Sequence, residues 1–345
     1  MHFCKKSILL FILLSLSLSG FSQGEFNNWF FGNKAAITFN TTPPTNIPST
    51  QMNSVTATAS VSDSNGLVLF YSNGNYVFDR NHGIMSTLVW GMNSNQPVFA
   101  FKKIGEDNLY WIFSLKDPVG FPPAPGGLFS SVIDMTLNGG LGGVVPAQHN
   151  IPVPGAELAL NNLTGSRHHN NRDAWIVTRD TNDHFLSYLI TSAGISGPVI
   201  SVSSVETFLA VRSGDLKISQ DGKKMVANYS GTVINYAFHH VAEFCSFNSQ
   251  TGMIVPMFKF NPLTIPVDSC SPQWAEFSPN SRLLYIGANI HVLPNTTKFG
   301  IFQYDATQTD STAFMNSQVF LGYVDGPGGV RALQLAPDGK IYSCL

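Results

Sequence analysis

Charge is scarce in this chain: 19 Lys and Arg stand against 21 Asp and Glu among 345 residues, a formal net charge of -2. A protein that follows a nucleic-acid backbone displaces counterions with a basic surplus. None exists here, so nucleic acid is not an expected partner. Cysteine is scarcer still, four in all, and no two are spaced as C-x-x-C, which argues against a structural zinc site. The stock signatures of catalysis are missing as well: no G-x-S-x-G elbow, P-loop, H-E-x-x-H or dinucleotide fingerprint is written anywhere.

What the chain has is turns and aromatics. It carries 26 Phe, 30 Gly and 20 Pro with many Asn, Ser and Thr, a composition that favours strands joined by tight turns. All-β is the expected class, and 345 residues can be a single large β unit. Three hairpins resemble one another: "LKISQDGKKMVANY" from Leu216, "AEFSPNSRLLYIGA" from Ala275 and "LQLAPDGKIYSCL" from Leu333. Each is an apolar run, a turn, a basic residue and a second apolar run. They recur about every 58 residues, somewhat longer than the roughly 40 to 50 of an ordinary four-stranded blade. Upstream, Asn65-Gly66 and Asn73-Gly74 are strong hairpin turns, and polar turns near positions 107 and 173 feed aromatic strands.

Six units follow from those turns, with "NNWFFGNKAAITF" available for a seventh or for closing a ring. A lone four-stranded sheet with two apolar faces cannot cover both, and radial stacking solves this. The expectation is a β-propeller of about six to seven WD40-like or lactonase-like blades spanning residues 23–345; tandem β-sandwiches are the alternative. The last unit supplies two strands at most. Either the N-terminal strands complete it or the chain is the head of something longer, and the second is the expectation.

Residues 1–22 read as a signal peptide, with a short basic start, the apolar stretch "SILLFILLSLSLSG" and small residues for cleavage after Ser22. An exported protein with no membrane span after cleavage is expected. Export exposes Cys245, Cys270 and Cys344 to oxidising conditions. Cys245 and Cys270 are the candidate disulfide, leaving an odd thiol; small buried apolar residues are the other reading of each.

Candidate chemistry is sparse. His168 and His169 lie in the loop "GSRHHNNRDAW", with Asp173, Asp180, Asp183 and His184 near in sequence. His239 and His240 sit inside one strand, where neighbours point to opposite faces and cannot chelate together. Asp63, Asn65 and Gly66 resemble the start of a calcium loop but lack its later ligands. No cofactor is expected, calcium being the one ion the sequence hints at. Glu157 and Asp134 are isolated acids that could serve a glycosidase only by facing each other across a channel. Trp29, Trp90, Trp111, Trp175 and Trp274 fall about once per unit, as expected for fillers between blades.

"NNWFFGNKAAITF", "VSDSNGLVLFYSNGNYVFDRNHGIM", "SSVIDMTLNGGLGGVV", "SRHHNNRDAWIVT" and "APDGKIY" together resemble the N-terminal propeller region of large secreted proteins of gliding-type bacteria. Such proteins usually continue into PKD-like domains and end in a gliding-motility-associated, type IX secretion sorting domain. The family's His-x-Asn-x-x-Asp-x-Trp pattern falls on His168, Asn170, Asp173 and Trp175, and its "DMTLNGGLG" strand on Asp134 to Gly142. The resemblance implies fold markers there and no activity. The chain departs from the pattern with Asn280-Ser281 where Asp-Gly is usual, and no PKD-like or sorting domain falls within these 345 residues.

The expected function is therefore that of an exported, non-enzymatic binding or scaffold module of a cell-surface or secreted protein, with a surface glycan or protein as ligand. Loop residues His168, His169, Asn170, Asp173 and Trp175 are the site candidates. The alternative is a propeller-type hydrolase, lactonase-like or polysaccharide-cleaving, with a divalent ion in its channel.

Overall fold

A computed structural model describes residues 24–89, 95–116, 126–205, 214–234, 237–262, 269–292, 296–324 and 332–344. The expected leader, residues 1–22, and Trp90 lie outside them. Almost all regular structure is antiparallel strand, and the sheets follow one another in chain order. The first has three strands, Asn28–Phe31, Ala35–Thr38 and Thr45–Asn46. The second, over residues 59–87, has four; the third, over 98–152, has a four-strand path with Ile151–Pro152 paired beside it. The fourth, fifth and sixth, over 159–202, 216–260 and 269–323, have four strands each, every strand beside its sequence neighbour. A hairpin of Ala332–Leu335 and Ile341–Cys344 follows.

The first strands of successive sheets adjoin in order: Asn28–Phe31, Ala59–Ser62, Val98–Lys102, Ala159–Arg167, Leu216–Ile218, Ser269–Phe277 and Ala332–Leu335. The sheets are thus six blades about an axis, a β-propeller, with the hairpin taking the next inner place. Trp29 and Phe39 of the first blade meet Tyr342 of the hairpin at ring separations of 6.0 and 5.4 Å.

Burial distinguishes this arrangement from the sandwich alternative. A sandwich sheet hides one face, whereas each of the second to fifth blades hides both. Five core clusters occupy the gaps between consecutive blades. In the strand Lys224–Ile234, Met225 and Ala227 pack toward the fourth blade while Val226 packs toward the sixth, the period-two alternation of a strand given two apolar partners. An α-helix, Ser311–Asn316, interrupts the sixth blade. Asp310 caps it, accepting the Ala313 amide at 2.9 Å, and Phe314, fully buried, stacks on Tyr304 with centroids 4.7 Å apart.

The three repeated turns all take left-handed backbone at their second residue. Gly222 has φ 63°, Gly339 φ 78° and Ser281, at the place the two glycines hold in the other turns, φ 57°. Ser281 is buried, and its hydroxyl accepts the Asp221 amide of the preceding blade at 3.0 Å.

Candidate functional site

In an antiparallel blade the first and third turns share one end, here called the hairpin face. The loop 168–173, the turn 219–223 and the turn 248–252 all lie on it, in the fourth and fifth blades. The five sequence candidates gather there, but most of them bind the neighbouring blade. Trp175, 3% exposed, donates its indole N–H to Ser249 O at 2.8 Å. Gly252, at φ +75°, lies under that ring, where a Cβ would come within 2.5 Å of it. The His169 amide donates to the same Ser249 carbonyl at 3.0 Å, and His168 Nε2 lies 3.1 Å from Gln250 O. Asn170 donates to Asp173 at 2.6 Å, and Arg172 Nε to the same carboxylate at 3.1 Å. Those two bonds, Arg172's first, hold the Asp173 carboxyl below its usual range. The loop is a latch between two blades.

Of the five, the His169 ring makes no such bond among the described residues. The His169 ring is exposed and lines a groove of about 460 Å³ on the hairpin face, within the roughly 300–1,000 Å³ usual for ligand sites. Lys223, Asn248, Gln250, Met253 and Val255 of the fifth blade form most of the rest.

A second polar constellation lies along the axis. Lys217 Nζ sits 2.6 Å from Glu276 Oε2 and 3.2 Å from Gln334 Oε1. Glu276, fully buried, also accepts the Leu335 amide at 2.9 Å and that of Phe277 at 2.9 Å. Asp215 accepts the Ala275 amide at 2.9 Å and the Asn228 side-chain amide at 2.6 Å. Burial pushes its carboxyl up to about 7 against those stabilising bonds. Gln96, just ahead of the third blade, reaches the fifth, where it accepts the Leu216 amide at 2.9 Å and donates to Leu216 O at 3.0 Å. Gly214 O accepts from Asn95 and Asn162 at 3.0 and 2.6 Å. A Cβ on Gly214 would overlap Asn228 O.

None of these axial residues was singled out from sequence. The signal was present: Lys217, Glu276 and Gln334 each stand four residues before Asp221, Asn280 and Asp338. Equivalent positions of stacked repeats share a direction, here the axis.

Other expectations resolve differently. His184 pairs with Asp180 at 3.0 Å on the opposite face, separated from His168 by the length of Ala174–Asp180. Among the described residues no three of His, Cys, Asp and Glu gather about one point. Asp63 accepts the Asn65 and Leu67 amides at 2.9 and 2.8 Å and so shapes a turn. Asp134 accepts from Thr136 on the hairpin face, Glu157 from the Gly155 amide at the other end, so the two acids do not converge. His240 Nδ1 lies 2.9 Å from Ser271 Oγ, and the side chain of His239 is outside the described residues. Cys245 and Cys270, the candidate disulfide, stand apart in this structure. Both are buried free thiols, Cys245 packed toward the fourth blade and Cys270 between the fifth and sixth. Burial pushes the Cys270 thiol up to about 12. No described helix is long and apolar enough to cross a membrane.

No protein-family model and no curated protein matches the chain. Among solved structures it is similar to the Nup133 β-propeller domain of Vanderwaltozyma polyspora, with TM-score 0.41 and 10% identity over 83% of this chain and 88% of that one. It is similar to the periplasmic gluconolactonase PpgL of Pseudomonas aeruginosa, with TM-score 0.35 and 12% identity over 78% and 83%. Against the tricorn protease the values are 0.35 and 10%, covering 90% of this chain and 26% of that chain.

Proposed function

We propose that the chain is an exported, non-enzymatic β-propeller serving as the binding or scaffold module of a cell-surface or secreted protein. The groove between the fourth and fifth blades carries this reading. It joins loops of two blades on one face, which is where propellers present ligands. A hydrolase working in the channel needs acids turned toward the lumen. The inner-blade acids Asp215 and Glu276 instead accept N–H groups of the next inner strand, a use that favours a rigid binding scaffold. The signal-like residues 1–22 support export. The resemblance of the quoted motifs supports a place ahead of PKD-like and type IX sorting domains.

Two experiments test this. A glycan and protein-ligand array probed with the purified full chain should return discrete ligands, and a consistently empty array counts against a binding role. Fractionation of the producing cells, with N-terminal sequencing, should find the chain outside the cytoplasm and beginning just after Ser22; a cytoplasmic chain with its leader intact contradicts export.

A further inference from the structure

The groove's lining is uneven in chemistry. Its basic side chains are Lys223 and His169, both exposed, and no Asp or Glu lines it. The acids nearest to them in sequence are already committed, Asp173 to Arg172, and Asp221 to Lys224 and Ser219. Neither the Lys223 ammonium nor the His169 ring has a hydrogen-bond or ion-pair partner among the described residues. Beside them stand Met253 and Val255, 43% and 52% exposed.

A sugar platform needs an exposed ring face, and the groove's single aromatic, Phe247, is 4% exposed. Flexible Met and branched Val suit side chains of another polypeptide. Val255 lies on Ile254–Phe260, the outermost strand of the fifth blade, which has a strand partner on one side only. Near the groove the Ile254 amide already donates to Ser201 Oγ at 3.0 Å and Pro256 has no N–H, so this edge offers carbonyl groups to an extended chain. We infer that this groove takes an extended peptide segment of a partner protein in which carboxylates alternate with apolar side chains, the carboxylates meeting Lys223 and His169 and the apolar groups meeting Met253 and Val255. This rests on the binding-module reading and names its ligand class.

The test is fluorescence anisotropy on the full chain with three probes: a labelled octapeptide alternating Glu and Val, its Lys-Val counterpart, and labelled tetragalacturonate. The Glu-Val peptide should bind, and Lys223→Glu should weaken it about tenfold with an unchanged circular dichroism spectrum. Lys223→Ala should weaken it less, about threefold. Equal binding of the Lys-Val peptide, or no loss in either variant, overturns the inference. Binding of tetragalacturonate alone overturns the peptide ligand while sparing the module reading. No binding of any probe overturns the peptide ligand, and an empty ligand array alongside it overturns the module reading too.

Discussion

Glu276 Oε2 stands 2.6 Å from Lys217 Nζ in the heart of the propeller, where the glutamate side chain has no solvent exposure and the lysine side chain 17%. Two neighbouring blades are tied by an ion pair, and the same carboxylate holds the hairpin through the Leu335 amide. Removing one member of a buried pair strands the other without a counter-charge. Glu276→Ala is expected to lower stability by about 3–5 kcal/mol, read as a shift in urea midpoint, with Lys217→Met costing less because it leaves the carboxylate its two amide donors.

Asp215 gives the fold a pH dependence of its own. Its folded-state carboxyl is raised from 3.8 to about 7, so the stability it contributes is fully present below about pH 4 and is lost as pH rises through 7. Several other acids, Asp173, Asp221 and Asp338 among them, are lowered and act in the opposite sense at acid pH. Comparison with Asp215→Asn isolates the one group. From pH 7.5 to 5.5 the native chain should gain about 2 kcal/mol relative to the variant, measured by paired denaturant titrations.

The repeated hairpins made the fifth and sixth blades legible, because a turn, a basic residue and two apolar runs returned at a fixed interval. Asn65-Gly66 and Asn73-Gly74 were legible for the same local reason, and both glycines take positive φ, 80° and 89°. The helix Ser311–Asn316 was overlooked, although Asp310 before Ser-Thr-Ala is a capping signal. Long-range partners were out of reach. Nothing local pairs Gln96 with Leu216 or shows that Trp175 would bond Ser249, 74 residues on. The loop 168–173 was visible as a loop, but its use as a latch depended on the fifth blade lying beside it.

Trp175 is accordingly a structural residue. Trp175→Phe should cost about 1 kcal/mol for the lost indole bond and Trp175→Ala about 3–5 kcal/mol, both by thermal melting. Trp175→Phe should leave ligand affinity unchanged, since the ring faces Gly252 and not the groove.

Ser281 trades backbone ease for a bond between blades. Ser281→Ala keeps the left-handed backbone and loses the acceptor for the Asp221 amide, a cost of about 1–2 kcal/mol. A glycine at this position relaxes the backbone by roughly 0.5–1 kcal/mol, so Ser281→Gly should fall between the native chain and the alanine variant in melting temperature.

The buried thiols predict a redox-insensitive fold. Adding dithiothreitol should leave the melting temperature unchanged, and Cys245 and Cys270 should react with a maleimide only after unfolding. Intact-peptide mass spectrometry finding the two joined would contradict the free-thiol arrangement.

The central claim, that the chain works by holding a partner on its hairpin face, is tested most directly by hydrogen exchange of the full chain with and without the tightest ligand an array returns. Protection should centre on residues 221–223 and 246–255, the floor and wall of the groove. Protection confined to the opposite face or to the axial strands would contradict it.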